Sequence, residues 1–216
     1  MDFVNALSQF KPWQPSIVPE DTKFRKSAIL VPLQLVNGKL RVIMTVRSRN
    51  LSRYSGDVAF PGGMQDPADD GDFVKTALRE AEEEIGLRPE KVRVLCQLRP
   101  CVTQHGIVVV PVVGLVQDDS FVPVINREEV EECFTVDWND ISRLHVSWKP
   151  TRVMKMIPYN IMDICIDSRR IWGVTANVLL LLLLMDPKRR LDFLDVPLTY
   201  LDIELIPSSV NLVNKL

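Results

Sequence analysis

The chain has 216 residues, of which 46% are hydrophobic and 25% charged, a globular composition long enough to bury a sizeable core. Twenty-six basic residues against 28 acidic ones leave a net charge of -2, so no basic field supports nonspecific nucleic-acid binding. The four cysteines, Cys96, Cys101, Cys133 and Cys165, form no C-x-x-C pair, which excludes a zinc knuckle and a disulfide scaffold and favours reduced, mostly buried thiols.

The first 22 residues carry Pro12, Pro15 and Pro19 and read as an N-terminal arm. Met1-Asp2-Phe3-Val4-Asn5 has an early acid and no basic stretch, so it is not read as a signal peptide. Ser27 to Leu33 and Leu40 to Val46 read as two strands joined by the hairpin signal Asn37-Gly38. Residues 47–72, with Gly56, Pro61, Gly62, Gly63, Pro67 and Gly71, read as irregular. A helix follows from Phe73 to Ile85, with Asp69, Asp70 and Asp72 ahead of it and Gly86 to close it. Val92–Leu95 and Ile107–Val113 read as further strands, and Asn126–Glu132 as a loop or short helix. Ile171–Met185 reads as a second long helix, stopped by Asp186-Pro187. Its apolar run, Val178–Met185, is far shorter than the roughly 20 residues a bilayer span needs. Strands on both sides of the first helix, with a late second helix, predict an α+β domain over 23–186. Residues 187–216 then form a C-terminal extension.

The chemistry is concentrated in the first helix. At about 100° per residue, Val74, Ala77, Leu78, Ala81 and Ile85 form an apolar stripe. Glu80, Glu83 and Glu84 share a neighbouring sector, and Glu82 lies off it. Acidic helix faces are ordinarily solvated. Here the acids are phased against the apolar stripe, the run is closed by Gly86, and a glycine pair precedes the helix by one loop. Crowded carboxylates repel unless a cation sits among them, and a hard ion such as Mg²⁺ wants oxygen ligands. Metal-assisted hydrolysis of a phosphoryl or pyrophosphoryl group is the chemistry this pattern points to.

These residues resemble the Nudix hydrolases, whose box is G-x5-E-x7-R-E-U-x-E-E-x-G-U, with U a bulky apolar residue. Gly63, Arg79, Glu80, Glu83, Glu84, Gly86 and Leu87 match it, with the small Ala81 at a U position. Fifteen residues separate Gly63 from Arg79, where the general box has 13, and the first acidic position falls to Asp69, Asp70 or Asp72. Upstream, Val42–Ser48 and Gly56–Gly63, ending in Phe60-Pro61-Gly62-Gly63, look like the coenzyme A subgroup signature L-L-T-x-[TR]-[SA]-x3-R-x3-G-x3-F-P-G-G. The signature arginine falls on Ser52, with Arg53 next to it. The likeness extends over residues 24–185, through Gly106–Gly114, Asn126–Val130 and Ile171–Ala176.

The resemblance implies a Nudix α/β/α sandwich with a mixed sheet. It implies hydrolysis of the diphosphate of coenzyme A or acyl-CoA to 3′,5′-ADP and 4′-phosphopantetheine, with Mg²⁺ or Mn²⁺. Glu80, Glu83 and Glu84 become the metal ligands, and Arg79 orients a glutamate. Glu129, with Glu128 as its rival, becomes the late-loop acid that serves as general base. Gly62 and Gly63 let backbone amides approach the diphosphate, and the cluster Arg47, Arg49 and Arg53 suits a third phosphate, with Arg47 and Arg53 as the substrate-binding pair. Rival readings are a Nudix hydrolase of NADH or ADP-ribose and a catalytically silent Nudix binding module. The final Asn214-Lys215-Leu216 departs by one residue from the peroxisomal address Ser-Lys-Leu. The expected location is therefore the peroxisome, through an import receptor, with the cytoplasm as the alternative.

Overall fold

The computed structural model describes residues 3–10, 25–103, 105–141, 147–153 and 157–188. The arm's prolines and Asn214-Lys215-Leu216 lie outside these residues.

Three layers are built around a mixed sheet. The strands Arg25–Val36 (β1) and Lys39–Arg47 (β2) form the hairpin expected at Asn37-Gly38, where both turn residues take positive φ. The short strands Val58–Ala59 (β3) and Gly62–Met64 (β4) punctuate the segment read as irregular. The helix Phe73–Ile85 (α2, following the short N-terminal helix α1 at Phe3–Ser8) starts and stops where the sequence places it. Val92–Gln97 (β5), Cys101–Val102 (β6) and Ile107–Val116 (β7) follow. The sheet runs β3-β2-β1-β7-β5, with β4 also on β1 and β6 also on β7. Among the described strands only β1 and β7 are parallel, over Arg25–Gln34 against Ile107–Val116.

Each face of the sheet is covered by helix. On one side Ala28, Leu30, Ile43, Val110 and Val112 pack against Ala77, Ala81 and Ile85 of the apolar stripe read from the sequence and against Phe73, while Val74 and Leu78 of that stripe are only partly buried. On the other, Val31, Leu33, Val42, Met44 and Val113 share a core with the helix Gly173–Met185 (α4) and with Phe3 and Leu7 of α1. No described helix is long and apolar enough to cross a membrane.

The structure corrects several readings. Val130–Glu132, read as the end of a loop or short helix, instead open a strand, Val130–Asp137 (β8), which pairs with β2 and leads into the short helix Trp138–Ile141 (α3). Ile171 and Trp172 end a strand, Arg169–Trp172 (β11), so α4 begins two residues later than expected. That strand pairs with Ile157–Ile166 (β10), which pairs with Ser147–Val153 (β9), a second sheet absent from the sequence reading. The start of the arm is helical: Phe3 stacks on Trp138 with ring centroids 4.5 Å apart, and Trp138 Nε1 donates to Asp186 at 2.6 Å. Two of the thiols are only partly covered and Cys165 is exposed, so burial is less general than expected, although all four cysteines are free.

Candidate active site

The site grows from the flank of α2 that adjoins its buried stripe. Asp72 caps the helix by accepting from the N–H groups of Val74 and Lys75, at 2.8 and 3.4 Å. Gly86, in the left-handed conformation, ends it. Between these stops, the phase that turns Ala77, Ala81 and Ile85 into the core turns Glu80 and Glu84 toward β4. Glu84 is only 3% exposed, an unusual position for a glutamate with no ion pair among the described residues.

The glycine pair lies directly under these carboxylates. A Cβ on Gly63 would run into the carboxylate of Glu80, and one on Gly62 into the backbone of β1 at Ala28 and Ile29. Backbone leaves no room for a side chain at Gly62, whereas a side chain at Gly63 would displace the Glu80 carboxylate. The Gly62 amide faces Glu84 and favours its ionised form.

Glu129 reaches the same place from the other side. The chain after β7 returns across the end of α2, where Val124 N–H donates to Ile85 O at 3.0 Å and Asn126 N–H to Glu84 O at 2.9 Å. The following turn is closed by Glu129 N–H on Asn126 O, and the Glu129 carbonyl accepts from Ser48 N–H at 2.8 Å. Glu129 is thus fixed between the end of α2 and the end of β2. One oxygen each from Glu80, Glu84 and Glu129 lies within 4.8 Å of the others.

Glu83 does not join this group. Its half-exposed carboxylate accepts from Arg79 Nη1 at 3.0 Å, and Glu82 is exposed. Glu128, the rival to Glu129, is also exposed. Arg79 contacts Glu80 at 2.9 Å and the Met64 carbonyl at 3.1 Å, and grips both oxygens of Asp69 at 3.2 Å. Of the three aspartates that could fill the first acidic position, Asp69 alone meets Arg79, since Asp72 caps the helix and Asp70 pairs with Lys75. The sequence reading left this choice open; the arginine ten residues on was the available signal. Among the cationic candidates, Arg47 lies at the end of β2 beside the trio, Arg53 is exposed on the following loop, and Arg49 is exposed and paired with Glu131.

The electrostatics fit a cation. Burial pushes Glu84 up to about 8, helped by Glu129 and Glu80, while Arg47 and the Gly62 amide oppose the rise. Burial also raises Glu80, against the pull of Arg79. Three converging carboxylates, one of them buried and two partly covered, are costly alone, and an oxygen-seeking divalent ion would relieve both desolvation and repulsion. A proton that burial keeps on Glu84 would be released on metal binding.

A model of the NUDIX domain matches residues 24–155. The chain is 38% identical to Nudix hydrolase 22, chloroplastic, of Arabidopsis thaliana over 177 residues, 78% of this chain and 57% of that protein. It is 48% identical to peroxisomal coenzyme A diphosphatase NUDT7 of Mus musculus over 111 residues, 51% of this chain and 46% of that one. With the uncharacterized Nudix hydrolase NudL of Yersinia enterocolitica it shares 33% identity over 80% of this chain and 87% of that protein. The chain thus spans about half the length of the Arabidopsis and mouse relatives. A crystal structure of a NUDIX hydrolase from Alicyclobacillus acidocaldarius superposes with a TM-score of 0.50 at 19% identity, covering 77% of this chain and 95% of that one, a likeness of fold. The domain match spans the carboxylate helix, the glycine pair and the Glu129 turn together, and the chain belongs to the Nudix hydrolase family.

Proposed function

We propose that the chain hydrolyses the diphosphate of coenzyme A and acyl-CoA, releasing 3′,5′-ADP and 4′-phosphopantetheine or its acyl form. The observation that carries the hydrolytic part is the convergence of Glu80, Glu84 and Glu129, with Glu84 buried and the other two partly exposed. These residues would hold Mg²⁺ or Mn²⁺, with Glu83 available as a further ligand if it leaves Arg79. A bound divalent ion supplies charge neutralisation at the diphosphate oxygens and a more acidic water. Glu129, held on a turn rather than on the helix, is suited to take the proton from that water as general base. Arg79 acts through Glu80, whose carboxylate it holds over Gly63. Gly63 leaves the backbone open beside the site, while the Gly62 amide serves Glu84.

The choice of coenzyme A rests on the segment from Arg47 to Gly63 and on the likeness to the mouse coenzyme A diphosphatase. A hydrolysis panel of CoA, acetyl-CoA, NADH, ADP-ribose and a capped nucleotide, run with Mg²⁺ and Mn²⁺ and with products identified, tests it. CoA and acetyl-CoA are expected to lead, and a preference for NADH or ADP-ribose would overturn the substrate assignment.

A sharper prediction concerns the third phosphate. A guanidinium–phosphate contact contributes a charge-assisted hydrogen bond, so CoA is expected to exceed dephospho-CoA by about tenfold in kcat/KM. Arg53→Ala is expected to narrow that ratio. Equal rates on the two substrates would show that no 3′-phosphate contact exists.

The peroxisome is the proposed location, in line with the name of the mouse relative. Its test is the distribution of an N-terminally tagged chain with and without the last three residues. Peroxisomal signal that turns diffuse on truncation is expected, and diffuse signal from both forms would count against the assignment.

A further inference from the structure

The backbone at the end of β2, which carries Arg47, is held at several points. Arg47 N–H donates to Asp57 O at 3.0 Å, and its carbonyl accepts from Gly56 N–H at 3.1 Å. The next residue, Ser48, is tied to the Glu129 carbonyl. The register between β2 and β8 shifts between Val46 and Arg47, which sets Arg47 opposite Val130 and beside Glu129. Irregularities of this kind re-aim a side chain at the rim of a sheet. The result brings the Arg47 guanidinium close enough to Glu84 to favour its ionised form.

Arg47 nevertheless makes no ion pair among the described residues, and its Nε is shut off from solvent without a hydrogen-bond acceptor. Buried donors are ordinarily satisfied, and an orphan calls for a missing partner. The neighbours that could have served, Glu80, Glu84 and Glu129, converge on each other instead. A metal ion drawn to those carboxylates brings an anionic oxygen with it, and that oxygen is the acceptor the buried N–H lacks. A guanidinium is suited to this task because it stays charged and donates along fixed directions.

We propose that Arg47 donates from its buried Nε to an oxygen of the metal-held diphosphate itself, making it a substrate-binding residue for the scissile group rather than for a third phosphate. This rests on the reading of the trio as a diphosphate-hydrolysing metal site and refines the role of one residue in it. It leaves Arg53 as the residue directed to the 3′-phosphate. An alternative role, a countercharge that merely tempers the carboxylates, would act on metal binding and would need no acceptor.

Calorimetric titration of the Mn²⁺-loaded full chain with methylenediphosphonate, a non-hydrolysable diphosphate, separates the two. Arg47→Lys keeps the charge and removes the Nε donor. It is expected to weaken methylenediphosphonate binding at least tenfold and to change Mn²⁺ affinity less than threefold, with kcat/KM falling by the same factor on CoA and dephospho-CoA. Arg47→Gln, checked for folding by thermal melting, is expected to show the same loss and covers the case in which the lysine variant does not fold. Methylenediphosphonate affinity within twofold of wild type in the folded variants would overturn the proposal, whether or not Mn²⁺ affinity changes. So would a loss confined to CoA, or failure of the Mn²⁺-loaded wild type to bind methylenediphosphonate. If CoA proves not to be hydrolysed while the arginine variants still lose the diphosphonate, the coenzyme A assignment fails and the role of Arg47 stands.

Discussion

Glu84→Gln is expected to lower turnover at least about 100-fold while making the metal-free protein more stable at alkaline pH. The loss of turnover follows from removing a charged metal ligand, since metal neutralisation of a developing phosphate charge is worth several kcal/mol. The gain follows from burial. Glu84 is pushed up to about 8 from an ordinary 4.5, first by desolvation and then by Glu129 and Glu80. From pH 4.5 to 8, the unfolded chain has ionised this group while the folded chain keeps its proton. Stability of the metal-free wild type therefore falls as pH rises through that window and levels off above it. The difference amounts to a few kcal/mol, on the order of 1.4 for each pH unit between the two values. Glutamine needs no proton and escapes the loss. Thermal melts between pH 5 and pH 9 are expected to show a decline in the wild type that Mg²⁺ reverses, and a flatter profile in the variant that Mg²⁺ barely moves. Wild-type turnover at saturating Mg²⁺ in the variant would sink the metal-site assignment. Glu82→Gln serves as the control, because Glu82 is exposed and faces away from the trio.

The same helix shows how far the sequence could be read. Its limits at Asp72 and Gly86 are local events, a side-chain cap and a left-handed glycine, and local events leave residue-level signals. The shared sector of Glu80, Glu83 and Glu84 was equally legible, because it follows from helical geometry alone. Which of them meet was not legible. Arg79 draws Glu83 away, and Glu129 arrives only because Asn126 N–H finds the carbonyl of Glu84 at the end of the helix. The first is an i,i+4 ion pair within the helix that competes with the cluster for Glu83, and the second is a contact between segments separated in sequence.

Strand β8 was hidden by its own composition. Glu131 and Glu132 extend the charge run begun at Arg127, so the segment reads as solvated. It is nevertheless a strand because the free edge of β2 accepts it from Arg41 to Arg47, with Val130 and Val136 buried. Sheet pairing overrode local propensity there. The start of α4 was misplaced for the converse reason: Ile171-Trp172 is apolar and directly precedes the helix with no charged residue between them. The break is marked only by Gly173, which takes a positive φ.

The second large effect is expected at Asp69, which never touches the trio. Asp69 is 3% exposed, and its carboxylate accepts from Asp66 N–H and from the Thr76 hydroxyl, both at 2.9 Å, while Arg79 grips it from the far side. The Arg79 hydrogen bonds dominate burial and hold its carboxyl down to about 2, below the ordinary 3.8. A depressed carboxylate contributes stability that is present above the unfolded value and lost as pH falls through the folded one. That contribution is about 1–2 kcal/mol once solvent at the partly exposed Arg79 is allowed for. Asp69→Asn is therefore expected to lower the melting temperature at pH 7 by several degrees, with the gap from wild type closing between about pH 4 and pH 2. Its effect on activity runs through Arg79, which also holds Glu80 and Glu83. Freed from Asp69, the guanidinium has only those two carboxylates left to bind, and it would compete with the metal for Glu80. The variant should then need a higher Mg²⁺ concentration for half-maximal rate, while the rate at saturating Mg²⁺ recovers most of its wild-type value. Unchanged melting temperature and unchanged Mg²⁺ dependence together would show that Asp69 neither anchors Arg79 nor, through it, positions Glu80.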